Sequence, residues 1–109
     1  MDHNGRVCVQ VSPGICGFHC QVCAQKIDRR TVTVKIEGSE CKQIQRLAQS
    51  VTQLSMQGLF KALTKNPVFV SAEKAGCHST CCVPTAILKA SEAVLGMALA
   101  SDVMVKFEP

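Results

Sequence analysis

Within six positions the chain places Cys77, His78, Cys81 and Cys82, and Pro84 and an apolar helical run follow at once. Thiolates and imidazoles are the ligands that zinc and iron–sulfur centres take, and a thiolate is also a nucleophile. The same residues would equally suit a small-residue helix entrance. Cys8, Cys16, Cys20, Cys23 and Cys41 bring the total to eight cysteines in 109 residues. An even count suits the disulfide framework of a secreted domain. The opening MDHNGRVCVQV, however, lacks the charged-then-apolar pattern of an export signal. The expectation is therefore a cytoplasmic protein with reduced thiols, where dense cysteine points to metal or redox chemistry.

The elements that must position these thiols follow from periodicity. Arg6 to Val11 alternates, with Val7, Val9 and Val11 on one face, and Phe18 to Ala24 alternates with Phe18, Cys20, Val22 and Ala24 together. SPGICG between them reads as a loop. A hairpin with Val11 facing Phe18, Val9 facing Cys20 and Val7 facing Val22 would bury all six, leaving Cys8 and Cys23 diagonal on the other face. A third strand spans Thr31 to Ile36. Cys41 then opens a helix carrying Ile44, Leu47, Ala48, Val51 and Leu54, with a short continuation over Gln57 to Thr64. Asn66-Pro67 stops that helix, and a further short one starts near Ser71. Pro84 suits the first turn of the last helix, whose stripe is Ile87, Leu88, Ser91, Val94, Leu95 and Ala98. A final strand is expected over Asp102 to Phe107. The whole, residues 1–109, reads as a single α+β domain: a three-stranded antiparallel meander plus a C-terminal strand in one sheet, with helices packed on one face.

This topology groups the thiols. The loop holding Cys16 and the residue after strand three, Cys41, belong to the same end of an antiparallel sheet. A final strand parallel to the third would bring the N-terminus of the last helix to that end too. Helix N-termini favour negative charge and so stabilise thiolates. The expected metal ligands are Cys16, Cys41 and Cys81, with His78, Cys77 or Cys82 as the fourth. Ligands spread over three loops, with a proline-bearing turn following, favour an iron–sulfur cluster over zinc. Cys20-x₂-Cys23 has a zinc-knuckle spacing but lies within a strand, with its side chains on opposite faces, so Cys20 reads as core.

Other classes fare worse. The net charge of +4 is scattered, and with no Tyr or Trp to stack bases a nucleic-acid partner is not expected. No apolar run reaches the ~18 residues of a membrane span. GICG lacks the spacing and lysine of a phosphate loop. Met1-Asp2-His3 matches an amino-terminal copper or nickel chelate, a minor possibility that needs a free N-terminus.

SPGICGF, Cys41 before a helix, and HSTCCVPTAILKASEAVLGMALASDVMVKF together resemble a small family of uncharacterised proteins found mainly in anaerobic bacteria and archaea. Its usual tail has a His-x-x-Cys-Pro-Val-Pro segment, an Ala/Ile/Lys/Glu-rich helix and an Ala-Leu-Pro-x-Asp-Val strand. The resemblance carries over Cys16, Cys41, His78 and Cys81 as motif positions. Cys82 stands where the family has its first proline, and Ala100 where it has a later one. The expected function is a metal-thiolate protein in electron transfer or cluster or metal delivery, with a redox or metal-delivery partner. The rivals are a thiol redox enzyme using Cys81 with Cys16 or Cys41, and a zinc-stabilised structural or adaptor module.

Overall fold

The computed structural model describes residues 5–12 and 17–109. Strands β1 (Arg6–Val11), β2 (Cys20–Asp28) and β3 (Thr31–Glu37) form the antiparallel meander, because each connection is short and each strand alternates. The β2–β3 turn is fixed locally: the Arg30 N–H donates to Asp28 Oδ1 at 2.8 Å, which holds the Asp28 carboxyl below its ordinary value.

The hairpin register differs from the sequence expectation by two residues: Val7 faces Ala24, Val9 faces Val22 and Val11 faces Cys20. An even slip keeps every side chain on its face, so Val7, Val11, Cys20, Val22 and Ala24 are buried as expected while Phe18 is left exposed. The slip also brings Cys8 directly opposite Cys23, where the two form a disulfide rather than a diagonal pair of thiols.

Helix α1 (Lys42–Ser50) is shorter than its periodicity suggests. The chain leaves it at Val51 and enters a fourth strand, β4 (Gln53–Ser55), which places Leu54 beside Val32. The fourth strand of the sheet is thus β4, and the order is β1-β2-β3-β4. The expected strand over residues 102–107 does not form: that segment has no regular structure and is exposed throughout. The edge position beside β3 is occupied by β4.

A four-residue helix α2 (Met56–Leu59) and a 3-10 turn at Leu63–Lys65 replace the expected single short helix. Asn66 caps α3 (Pro67–Ala75), accepting from the Val68 N–H at 3.0 Å, with Pro67 at the first position where no N–H is needed. The last helix, α4 (Val83–Val94), begins where Pro84 indicates and buries Ile87, Ser91 and Val94. It packs chiefly over β2 and β1, while α1 and α3 pack on each other. Helices and sheet share one core, around Leu47, Ile87, Val22, Val32, Val68 and Val83. Each such side chain contributes about 1.5–3 kcal/mol of burial. The other face carries Gln21, Gln25, Thr33, Lys35 and Glu37 to solvent, with the Cys8–Cys23 bridge among them. Among the described residues no helix is long and apolar enough to cross a membrane.

Candidate functional site

The thiols gather where α1 begins and α3 ends. Cys41 is the N-cap residue of α1 in extended conformation; its carbonyl accepts from the Gln45 N–H at 2.9 Å. Its own N–H donates to Ser39 Oγ at 3.1 Å, and its thiol donates to Gln43 Oε1 at 3.2 Å.

Cys77 is set by the end of α3. Gly76 takes the left-handed conformation, φ 82°, which a residue with a Cβ adopts only at a cost. The Gly76 N–H then bonds Glu73 O at 3.1 Å and the Cys77 N–H bonds Ala72 O at 3.0 Å, the paired closure that ends a helix on glycine. Across the turn His78-Ser79-Thr80-Cys81, the Cys81 N–H returns to His78 O at 3.1 Å. Cys77 and Cys81 therefore bracket one tight turn.

Arg46 ties this turn to α1. Its Nε and Nη2 both donate to Ala75 O, at 3.0 and 2.8 Å. Cys41, Cys77 and Cys81 are all half-buried and packed against the core. Burial pushes the Cys77 thiol pKa up, and charge on Cys81 and on Cys41 pushes it further; the Arg46 guanidinium works the other way. Sulfurs from two stretches of chain, Cys41 and the Cys77–Cys81 turn, thus bear on the Cys77 thiol.

The remaining candidates fall elsewhere. His78 is exposed, with Nδ1 and Thr80 Oγ1 at 3.1 Å. Cys82 is exposed, its sulfur 3.9 Å from Thr80 O. Cys16 lies outside the described residues, as does Met1-Asp2-His3. The flanks of the Cys16 loop are described: Ser12 and His19 line an open groove with Glu37 and Gly38, at the sheet end from which the chain runs on to Cys41. Cys20 is buried in the core, as its place in the strand implies. Among the described residues no three His, Cys, Asp or Glu side chains form a group arranged to hold a metal ion.

Cys77, one of the alternatives for a fourth ligand in the sequence, is positioned by the glycine before it. A Gly at a helix end fixes the direction of the next residue, and Cys77 is that residue.

Fold and site together define a small thiol-rich α+β protein, with three thiols grouped at a helix junction beside a one-sided sheet. The chain belongs to a family of unknown function (DUF6951), whose model matches residues 7–107. No curated protein and no solved structure matches it.

Proposed function

We propose that the protein is a small metal-thiolate protein, in which Cys41 and Cys81, with Cys77 beside them and Cys16 from the loop outside the described residues, together bind a soft metal centre for electron transfer or for delivery of the metal or cluster. The observation that carries this reading is the grouping of half-buried Cys41, Cys77 and Cys81 at the junction of α1 and α3 that Arg46 ties together. Partly buried thiolates that repel one another are relieved by a cation among them, and thiolates are the ligands that iron–sulfur centres, zinc and copper(I) prefer. An iron–sulfur cluster is the first choice and zinc the second, with Cys16 as the fourth ligand; His78 and Cys82 rank behind it. The partner is a redox or metal-delivery protein.

Anaerobic purification, elemental analysis and visible absorption test the reading. Expected are bound iron with charge-transfer absorption, or bound zinc without it. Replacement of Cys41, Cys77 or Cys81 by Ser should lower the metal content in each case. A colourless, metal-free protein that is stably folded overturns the proposal.

One observation favours a second reading. The half-buried Cys81 shares the helix junction with Cys41, which suits a thiol redox enzyme. Here the Cys81 thiolate attacks a substrate disulfide and releases one substrate thiol. The thiol of Cys41 or Cys16 then displaces the second, and two electrons pass to the substrate as the protein disulfide forms. The raised pKa makes Cys77 a poor nucleophile in this scheme. Trapping a mixed disulfide at Cys81 after replacing the resolving cysteine would support it; equal trapping at the exposed Cys82 would oppose it.

A further inference from the structure

Two features of the chain lack a counterpart among the described residues. The first is the outer edge of β1, which pairs only with β2 among the described residues. On the core-facing side of this edge, Val9 is half-buried while Val7 and Val11 beside it are buried. The second is the stretch beyond α4. Val103, Val105 and Phe107 alternate as in a strand, yet they are 61%, 90% and 99% exposed. A chain that buries its other valines so thoroughly does not leave such a row in water without a partner.

We infer that the protein is a homodimer in which residues 103–108 of each copy add as a strand to the β1 edge of the other. The lengths match: β1 has six residues, Arg6–Val11, and the arm offers as many. An antiparallel register with Val7 opposite Phe107, Val9 opposite Val105 and Val11 opposite Val103 puts all six apolar residues on the helix-covered face. The same register places Arg6 opposite Glu108, an opposite-charge pair. Each copy has one such edge and one such arm, so a single two-fold exchange satisfies both, and the contact closes on itself. The family match runs to residue 107, so the arm belongs to the family's domain and is not an appendage to it. Strand addition of this kind draws its affinity from the main-chain ladder and its register from alternate side chains.

Sedimentation analysis of the whole chain, in oxidising and in reducing buffer, gives the first reading: a dimer is expected. Lys106→Pro, opposite Cys8 in this register, removes a ladder N–H and should yield monomer with the same helical circular dichroism. Deletion of residues 101–109 should do likewise, and a synthetic peptide of residues 100–109 added to that deleted form should protect the β1 amides from hydrogen exchange. A wild-type monomer overturns the inference, whether the arm is exposed or its amides are protected by pairing within one chain. A dimer that survives Lys106→Pro and the deletion also overturns it. So does a dimer lost with the arm whose β1 amides exchange freely, since the two arms would then be pairing with each other.

Discussion

The guanidinium of Arg46, on α1, holds the carbonyl of Ala75, the last residue of α3, through two hydrogen bonds of 3.0 and 2.8 Å. Ala75 is two residues before Cys77, so this contact sets both the position of the thiol turn and its charge environment. Charged hydrogen bonds of this kind contribute about 1.5–3 kcal/mol each at most, and less where solvent reaches them. Arg46→Ala should therefore lower stability by about 1–2 kcal/mol in urea denaturation. It should also raise the pH at which Cys77 is alkylated, because the guanidinium now lowers that pKa. A loss of stability without any change in the alkylation profile would separate the two roles.

Gly76→Ala tests the same turn from the other side. The left-handed conformation penalises a Cβ by about 1–2 kcal/mol, and the added atom would stand 3.4 Å from Arg46 Nη2. The thermal midpoint should fall, and the melt of the double variant with Arg46→Ala should fall by less than the sum of the two single changes.

Cys77 also makes stability depend on alkaline pH. Its pKa is raised in the folded state, so the folded chain holds this proton more tightly than the unfolded chain does. The stabilisation is complete below the ordinary thiol value of 9.0 and is lost as pH rises through the higher folded value. In metal-free protein, urea midpoints measured upward from pH 9 should fall, and Cys77→Ser should flatten that decline. An unchanged slope would show that another group governs it.

The Cys8–Cys23 bridge spans a sequence separation of 15. Loop-closure entropy for such a separation gives about 3 kcal/mol. The double replacement of Cys8 and Cys23 by Ala, or reduction of the wild type, should lower stability by that order in urea denaturation. Reduced wild type and the double variant should then unfold at closely similar midpoints.

In the core, Leu47 and Ile87 are completely buried. Truncation of either to Ala should cost about 2–5 kcal/mol, read from the thermal or urea midpoint. Phe60, 71% exposed, is the control: its replacement by Ala should change stability far less.

These particulars show what the chain's own letters could reveal. The α4 boundary was legible because Pro84 and the spacing of Ile87, Ser91 and Val94 give one answer together. The buried face of the hairpin was legible because alternation fixes it whatever even register the strands adopt. The register itself was not, and with it went the facing of Cys8 and Cys23. Strand β4 was hidden because Val51 and Leu54 continue the helical spacing of Leu47; pairing of Leu54 with Val32 overrides it. At the C-terminal end, alternation predicted a strand where the structure forms none over residues 102–107. The grouping of Cys41 with Cys81 was expected from a parallel final strand that does not form. Packing of α1 on α3, with Arg46 as the tie, is what brings them together.

The bridge between β1 and β2 also has a mechanical meaning. Because it joins residues 15 apart, a chain pulled from its two ends can lengthen only outside that loop. At about 3.3–3.6 Å per residue, roughly 50 Å of contour is withheld until the bond is cut. Under tension, the first two strands would behave as a length reserve that a reductant releases and an oxidant locks away.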